Sequence, residues 1–325
     1  MMNVGIVGCG VIGRKRAQAL GAGKLVACSD AVFERARGVA TEHGAQAVAD
    51  WREMVKRPEV QMVVVATTQD WLAPVTLAAV QAGKHVLVEK PAARRAGELE
   101  AVVQAARASG SLVRVGFNHR FHPALHKAHE MFGAGAVGPL MYLRARYGHG
   151  ARVGYEKEWR ARPEVSGGGE LIDQGMHLID LARWFAGEFV DVDGLAGHWF
   201  WDMPVDDNAF LLLRTADKKV AFMHCSCSEW KNLFSFEVFG RDGKLEVQGL
   251  GGSYGVERLT YYRMLPEMGP PETTSWEYPR GDNSWAAELA DFYQDVALGR
   301  QPAPGLADAM AALRVVERIY EVSRS

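Results

Sequence analysis

The chain has little of what marks several classes of protein. Its 325 residues include only 4 cysteines, so a disulfide-stapled scaffold is excluded and a reducing cytoplasm is the expected location. No apolar run approaches the roughly 18 residues that a membrane helix needs, and the opening Met1-Met2-Asn3 lacks the basic segment of a signal peptide. Charge is balanced, with 37 Lys and Arg against 39 Asp and Glu. A basic nucleic-acid-binding protein is therefore not expected.

The hydrophobic pattern predicts that the first 120 residues form one domain. Short β-rich runs, such as Asn3–Val7 and His85–Glu89, alternate with Ala-rich helical stretches, such as Phe33–His43 and Leu72–Ala82. Several of these stretches end in a glycine, where a left-handed helix cap is favoured. The alternation is typical of βαβ units, so residues 1–120 are expected to form a doubly wound parallel sheet of the Rossmann type, an α/β fold.

The rhythm changes after residue 120. Longer strand-like runs dominate up to Arg263, with a helix predicted over Glu170–Phe185. Residues 121–325 are therefore expected to form an α+β domain with a large, mostly antiparallel open sheet. The chain closes with two predicted helices that are candidates to pack back on the first domain, Ser284–Leu298 and Leu306–Val322.

A glycine-rich turn joins the first predicted strand to the first helix. Gly8, Gly10 and Gly13 have the spacing GxGxxG, in which the first glycine permits the turn and the second lets the backbone approach a pyrophosphate. The third lets strand and helix pack closely. Val11 and Ile12 open the helix, whose N-terminus favours an anion. The turn therefore predicts a site for a dinucleotide cofactor, with glycines that serve packing alone as the alternative.

An acidic residue at the end of the second predicted strand completes this fingerprint. Asp30 follows the glycines by about 20 residues, the place where a carboxylate accepts hydrogen bonds from the adenosine ribose. Its charge would repel the 2′-phosphate of NADP, and Ala31 follows it where an arginine could hold that phosphate. NAD is therefore predicted over NADP, although Arg35 and Arg37 on the next helix leave NADP open.

Three further motifs resemble the Gfo/Idh/MocA family of oxidoreductases, in family order along the chain. Ala82–Pro91 resembles the fifth strand ending in Glu-Lys-Pro, Val115–Phe121 the crossing into the second domain, and Gly167–Asp180 the active-site helix. One segment departs, because Thr67-Thr68-Gln69 and then Leu72 stand where the family has Thr-Pro-Asn and a histidine. The resemblance implies that the loop holding Thr67 lies beside the cofactor.

Lys90 is the first candidate for catalysis. It ends a predicted parallel strand, at the edge where open α/β sheets bind ligands, and Pro91 restricts the chain after it. An ammonium there can lower the pKa of a substrate hydroxyl or stabilise a developing carbonyl oxygen. Glu89 and Lys90 are also predicted to contact the cofactor. From position alone, a surface lysine is the alternative.

Asp173 and His177 are the second catalytic candidates. They are four residues apart, so on a regular helix they share one face and can interact. A carboxylate beside an imidazole can fix its tautomer and suit it to act as a general base near neutral pH. We expect His177 to remove the proton of a secondary alcohol and Lys90 to stabilise the oxygen while a hydride passes to the nicotinamide. Spacing alone leaves a surface pair as the alternative.

Substrate contacts are expected at the domain crossing and in the basic stretch Arg144–Arg162. An aromatic face suits a sugar ring, and an arginine suits a phosphate or carboxylate. A sugar, cyclitol or sugar derivative, including an anionic one, is therefore the expected substrate class, and a solvated loop is the alternative for the basic stretch. The residues expected to line the substrate are Asn118, His119, Arg120, Tyr147, Trp159 and Arg160.

Two further patterns concern metals and partners. His122, His126 and His129 share one predicted helical face, but no cysteine or carboxylate joins them at ligand spacing, so no metal is expected. The apolar positions of Ala209–Ser226 are expected to form an open sheet face. Such a face requires a partner, so a homodimer or homotetramer is predicted.

Three functions are compatible with these patterns. The first is an NAD(P)-dependent dehydrogenase or reductase acting on CH–OH groups. The second is an NAD-dependent glycosidase, which the family resemblance includes in some branches. The third is a catalytically silent NAD sensor, against which the presence of Lys90, Asp173 and His177 argues.

Overall fold

A computed structural model describes residues 1–267 and 269–324. The chain divides into two compact units. Unit 1 comprises residues 1–117, 164–167 and 285–313, and unit 2 comprises residues 118–163, 168–284 and 314–324. A domain boundary at residue 120 stays a prediction.

Unit 1 contains a parallel sheet with helices between its strands. The strands are β1 Met2–Val7, β2 Gly23–Ser29, β3 Gln46–Ala47, β4 Met62–Val65, β5 His85–Glu89 and β6 Val113–Gly116. The helices are α1 Val11–Gln18, α2 Phe33–His43, α3 Trp51–Lys56, α4 Gln69–Gln81 and α5 Glu100–Ser109, the last preceded by a 3₁₀ turn at Ala96–Leu99. The order β3-β2-β1-β4-β5-β6, with every neighbouring pair parallel, confirms the predicted Rossmann sheet.

Burial and capping account for most of this sheet. β4 is buried at all its positions, as expected for a strand covered on both faces. α2 ends at Gly44, whose φ of 63° is the left-handed conformation of a helix cap. β3 and α3 are not predicted from the sequence, because each is too short to show a hydrophobic period. The start of α3 depends instead on Asp50, whose side chain accepts a hydrogen bond from the Arg52 amide.

Unit 2 is built on a larger sheet. Its strands are β7 Leu140–Gly148, β8 Phe189–Gly197, β9 Asn208–Thr215, β10 Val220–Ser226, β11 Leu233–Gly240, β12 Gly243–Gln248, β13 Glu257–Arg263 and β14 Glu272–Tyr278. Their order is β14-β13-β12-β11-β7-β10-β9-β8. Neighbouring strands are antiparallel except β7 and β10, which confirms the predicted mostly antiparallel sheet.

The remaining helical elements complete the chain. The α-helices are α6 Pro123–Gly133, α7 Pro163–Ser166, α8 Met176–Ala186, α9 Ser284–Leu298 and α10 Leu306–Val322. Short 3₁₀ turns occupy Asn118–Phe121, Tyr155–Lys157 and Trp159–Ala161, and a π-helix at Leu171–Gly175 leads into α8. None of the helices within residues 1–267 and 269–324 combines the length and the apolar character that crossing a membrane requires. The cytoplasmic location stays a prediction.

Two elements of unit 2 differ from what their sequence suggests. The apolar pattern would extend β8 to Trp201, but the strand ends at Gly197. The Asp207 carboxylate explains this, because it accepts hydrogen bonds from the amides of Trp199, Phe200 and Trp201 and so turns the chain away from the sheet. β14 is not predicted, since it is a polar and largely exposed edge strand.

One face of the sheet carries exposed apolar side chains along β8 to β10. Phe210 and Leu212 of β9 and Phe222 of β10 are 39%, 51% and 51% exposed. Leu212 pairs with Phe222, and Phe210 pairs with the exposed Leu195 of β8. The alternate side chains of β9 are buried. The strand run therefore has the open apolar face that its sequence predicts.

A buried ion triad joins three elements of unit 1. Arg16 on α1 has no solvent exposure and contacts Glu89 at the end of β5 and Glu288 on α9, each at 2.6 Å. The Trp285 ring lies 4.4 Å from its guanidinium carbon. Burial raises the pKa of Glu288 to about 7, and the Arg16 charge opposes the rise. One cation thus connects parts of the chain that are distant in sequence.

Replacing Arg16 with Met should lower the free energy of unfolding by about 3–5 kcal/mol, because two buried carboxylates lose their shared cation. The matched control is Arg14→Met on the same helix, which removes an exposed pair with Glu42 and should cost less than about 1 kcal/mol. Urea unfolding followed by circular dichroism measures both. Equal losses in the two variants would contradict a stabilising role for the triad.

Candidate active site

The glycine loop follows β1 in unit 1, and its three glycines meet different steric constraints. Gly8 has a φ of +93°, and a Cβ there would lie 2.4 Å from the Ala66 carbonyl oxygen. A Cβ on Gly13 would lie 1.8 Å from the Gly8 oxygen, so both glycines are required by the packing of the protein itself. A Cβ on Gly10 would meet nothing within 4 Å. Gly10 therefore borders open space at the start of α1, where a dinucleotide pyrophosphate fits.

Asp30, directly after β2, holds the glycine loop through its carboxylate. Oδ2 accepts a hydrogen bond from the Cys9 amide at 2.7 Å, and Oδ1 accepts one from the Val32 amide at 2.8 Å. Arg35 lies 4.0 Å from Oδ1. Sequence reasoning predicts only a cofactor contact for Asp30. The structure adds a second role, since the same carboxylate orients the loop.

Three loops follow neighbouring strands at one edge of the unit 1 sheet. β1, β4 and β5 are adjacent and parallel, so Gly8, Thr67 and Lys90 stand at or just beyond strand ends on the same edge. Thr67 Oγ1 donates to a neighbouring carbonyl at 3.1 Å, Glu89 accepts from Arg16, and Lys90 is half-buried. Doubly wound sheets bind their ligands at this edge. The cofactor residues predicted in this unit are therefore gathered together.

In unit 2, the helix predicted over residues 170–185 is divided in two. Leu171–Gly175 is a π-helix, and α8 continues directly from it. A π-helix bonds residues five apart, so Asp173 and His177 do not lie on one regular α-helix as expected, and an interaction between them stays a prediction. Asp173 accepts a hydrogen bond from Arg160 Nε at 3.0 Å. His177 lies on the first turn of α8 and is buried.

An aromatic cluster surrounds the His177 imidazole. The His119 ring stacks on it, with centroids 3.7 Å apart and planes at 21°. Tyr147 is 6.2 Å from His177 and 5.3 Å from His119. Phe234 and Tyr254 complete the cluster at 5.4 and 5.1 Å from Tyr147. Neither Phe234 nor Tyr254 is among the predicted site residues. The one sequence feature that marks Tyr254 is the glycine-rich segment around it.

Buried acidic groups lie next to this cluster. The Glu170 carboxylate is 3.4 Å from His149 Nε2. Burial raises the pKa of Glu170, and the His149 contact opposes the rise. Burial also raises the pKa of Tyr254 to about 12, with the charges of Glu170 and Asp173 adding to the rise. The phenol therefore stays protonated at neutral pH.

A second buried carboxylate holds the turn that precedes the π-helix. Asp206 accepts hydrogen bonds from the amides of Gly169 and Leu171, at 2.9 and 2.7 Å, and from the Tyr320 hydroxyl at 2.8 Å. A Cβ on Gly169 would lie 1.9 Å from the Asp206 carbonyl oxygen, so the close approach requires glycine. No local sequence pattern links Asp206 to this turn, and sequence reasoning misses it.

Two predicted substrate residues at the start of unit 2 have partners within the protein. Asn118 Nδ2 donates to Ser284 Oγ at 2.8 Å. Arg120 donates two hydrogen bonds to Asp180, at 2.8 and 2.6 Å, and both side chains are buried. This bidentate pair balances the charge of Arg120 inside the unit.

Arg160, in the basic stretch, also has partners within the protein. Arg160 contacts Asp173 at 3.0 Å and Glu158 at 3.6 Å. The Trp159 ring lies 4.6 Å from the Arg160 guanidinium carbon. The arginine predicted to bind an anion therefore already has carboxylates of the protein beside it.

The three histidines of the α6 region have separate neighbours. His122 Nδ1 lies 3.0 Å from Glu257, His126 is 3.5 Å from a glutamate one turn along α6, and the His129 ring stacks on Trp184 at 3.7 Å. Among the residues that the structure describes, no group of three or more His, Cys, Asp or Glu could hold a metal ion. The three histidines, which share a face in the sequence pattern, therefore each contact a different neighbour.

Comparison with known proteins adds to this geometry. The profile of the GFO/IDH/MocA oxidoreductase family with an NAD-binding Rossmann fold matches residues 2–117, and the profile of the family's C-terminal domain matches residues 125–246. A 1,5-anhydro-D-fructose reductase from Ensifer adhaerens is 31% identical over 95% of each chain. The chain belongs to the Gfo/Idh/MocA family.

Two further comparisons agree with this membership. A levoglucosan dehydrogenase from Pseudarthrobacter phenanthrenivorans is 26% identical over 98% of this chain and 95% of its own length. A solved levoglucosan dehydrogenase in complex with NADH and levoglucosan shares the fold, with a TM-score of 0.90, 24% identity and coverage of 99% and 97% of the two chains. This Gfo/Idh/MocA protein is an NAD-dependent oxidoreductase, which confirms the predicted family, fold class and cofactor. The roles of individual residues stay predictions.

Two alanine substitutions in the glycine loop should behave differently. Gly13→Ala drives a Cβ into the Gly8 carbonyl and should lower the free energy of unfolding by about 1–3 kcal/mol. Gly10→Ala meets no protein atom and should change it by less than about 1 kcal/mol, yet it should weaken NAD binding because it fills the space of the pyrophosphate. Thermal unfolding and calorimetric titration measure the two effects. Unchanged NAD affinity in Gly10→Ala would contradict this assignment.

Proposed function

We propose that this enzyme transfers a hydride between NAD and a secondary alcohol or ketone of an uncharged sugar or cyclitol. The observation that carries the proposal is the His177 imidazole on α8, which is held against His119 and Tyr147. The C–H faces of a polyol ring suit an aromatic wall, and its hydroxyls suit imidazole and phenol groups. The names of two relatives, a levoglucosan dehydrogenase and a 1,5-anhydro-D-fructose reductase, support the same class.

The charge balance of unit 2 favours a neutral substrate over an anionic one. Arg160 pairs with Asp173, and Arg120 pairs with Asp180 at 2.6 Å. The buried Glu170 adds a further acidic group beside the cluster. An arginine that already has a carboxylate offers a phosphate little further stabilisation. A sugar phosphate or nucleotide sugar would therefore find no unbalanced cation among these residues.

His177 is the proposed general acid and base. In oxidation an imidazole nitrogen removes the proton from the substrate hydroxyl, and in reduction it returns that proton. The Lys90 ammonium is proposed to donate a hydrogen bond to the substrate oxygen, which stabilises the negative charge that develops there. Asp173, oriented by Arg160, is proposed to set the orientation and basicity of His177. NAD, when bound, supplies the hydride acceptor.

The residues proposed to hold NAD all belong to unit 1. The amides from Gly10 to Ile12 open α1 and suit the pyrophosphate. Asp30 is proposed to accept hydrogen bonds from the adenosine ribose, and its charge disfavours the 2′-phosphate of NADP. Thr67, Glu89 and Lys90, on the same sheet edge, are the remaining proposed contacts.

Lys90→Met and His177→Ala should each lower kcat by about 10²–10⁴-fold and affect NAD binding far less, because each removes a proton-transfer or charge-stabilising group. The matched control is Lys84→Met, at the other end of β5, where Nζ donates to the Arg57 carbonyl at 2.8 Å. This control should keep the parent kcat. NADH absorbance is followed with neutral polyols, anhydrosugars, sugar acids and nucleotide sugars, each with NAD and with NADP.

Each outcome bears on a different part of the proposal. Unchanged turnover in Lys90→Met with NAD bound would reject the role of that lysine. A preference for sugar acids or nucleotide sugars would contradict the neutral substrate. Free sugar released from a glycoside without net NADH would indicate the glycosidase reaction instead.

We also propose that the enzyme is a homo-oligomer assembled through the open apolar face of β8 to β10. Two sheets pack about 10 Å apart with interleaved side chains, and a twofold axis lets one face serve both copies. Phe210, Leu212 and Phe222 would then be covered by their counterparts. A sheet face of this composition suits a second copy of itself because it is apolar along three neighbouring strands.

Leu212→Glu should reduce the mass of the particle to that of a smaller assembly, because it places a charge in the apolar contact. The control is Val153→Glu, which changes a fully exposed apolar residue in a loop outside this face and should leave the mass unchanged. Size-exclusion chromatography with light scattering measures both. A monomeric parent protein, or an unaltered assembly in Leu212→Glu, would count against the proposed interface.

A further inference from the structure

We propose that His119 is a positioning residue that holds the general base His177 in its productive orientation, and this inference rests on the function proposed above for His177. His119 lies in the 3₁₀ turn after β6 and is buried. Its ring covers one face of the His177 ring at 3.7 Å. Rings at this separation are in van der Waals contact, so the plane of one restricts the plane of the other. The motif around His119 predicts a substrate contact, whereas the stack assigns it a different task.

The His119 ring is itself held by its neighbours. His122 meets it edge-on at 5.5 Å with planes at 73°, and Tyr147 and Phe234 lie at 5.3 and 5.9 Å. These neighbours come from the start of α6, from β7 and from β11. A close-packed ring of this kind cannot rotate without displacing the rings around it. His119 is thus held in place by residues of the sheet, and it restricts the orientation of the His177 imidazole on α8.

A chain of hydrogen bonds places a hydrogen on His119 Nδ1. Ser284 Oγ donates to Asp282 at 2.5 Å, so its oxygen is the acceptor for Asn118 Nδ2 at 2.8 Å. The Asn118 Oδ1 atom must then face His119 Nδ1, at 3.3 Å. Because an amide oxygen only accepts hydrogen bonds, His119 Nδ1 carries the hydrogen. This bond fixes the place of the Nδ1 hydrogen and helps to hold the His119 ring against its neighbours.

A hydroxyl that stays uncharged lies beside the two stacked rings. Burial raises the pKa of the Tyr147 phenol, and Tyr254, Glu170 and Asp173 add to the rise, so this hydroxyl stays uncharged. The titratable groups packed around these rings are His122, Tyr147, Glu170, Asp173, Glu257 and Asp282.

His119→Ala should lower kcat by about 10- to 100-fold, because the base is no longer held. KM for the substrate and the affinity for NAD should change little, since the bound molecules keep their own contacts. His119→Phe restores a flat ring that stacks in the same place and should recover most of the lost kcat, although it has no ring nitrogen. The limb of the kcat/KM pH profile that reports the base should shift in His119→Ala and return in His119→Phe.

His129→Ala is the matched control. His129 also stacks on an aromatic ring, that of Trp184, at 3.7 Å and 7°, and it lies outside the cluster around His177. Its loss should lower the melting temperature as much as His119→Ala does but leave kcat and the pH profile unchanged. Nuclear magnetic resonance of the apoenzyme with isotope-labelled histidine follows the His177 ring directly. In His119→Ala the His177 resonances should broaden or titrate at a different pH, and in His129→Ala they should not.

Two results would overturn the inference. One is an unchanged kcat in His119→Ala, and the other is a loss in His119→Phe as large as that in His119→Ala, since a polar role and not the stack would then be at work. If His177→Ala retained its turnover, the proposed function would fail by itself. The His177 resonances in His119→Ala would still report whether His119 orients that ring, so the two failures are distinguishable.

Discussion

Carboxylates with little solvent exposure organise this protein, because a desolvated acidic group needs hydrogen-bond donors inside the fold. Asp30 finds the Cys9 amide and so holds the glycine loop. Asp206 finds the amides of Gly169 and Leu171 and so holds the turn that opens the π-helix. Both segments are irregular, and neither has the ladder of a sheet or the full set of helix bonds to shape it. The candidate functional residues therefore lie on backbone segments whose conformation is fixed by side-chain hydrogen bonds.

Arginines form ion pairs with other buried acidic groups. Arg16 in unit 1 joins Glu89 to Glu288, and Arg120 in unit 2 pairs with Asp180. A buried ion pair adds little net stability over an apolar contact, but removing one member leaves a charge that the interior cannot accommodate. Arg160 is likewise balanced within unit 2, by Asp173. The rings that contact His177 include the His119 imidazole and the Tyr147 phenol.

Most of the fold is predictable because hydrophobic period is a local property. The alternation of strands and helices predicts β1 to β6 apart from the two-residue β3. The predicted strand Val220–Ser226 has the same first and last residues as β10. The failures have specific causes. β8 ends earlier than predicted because the Asp207 carboxylate accepts hydrogen bonds from the amides of residues 199–201. The helix carrying Asp173 begins as a π-helix, a choice that the apolar pattern does not distinguish from a regular helix.

The sequence by itself determined the parallel sheet, the glycine loop with its acidic partner, the place of Lys90 after a strand and the family. Each of these is carried by neighbouring residues whose spacing and chemistry are visible along the chain. Only the tertiary structure decided that His119 stacks on His177, that Tyr254 joins the cluster and that Arg160 is paired with Asp173. These contacts join separate loops, strands and helices. Their distances depend on how those elements pack, which no local pattern specifies.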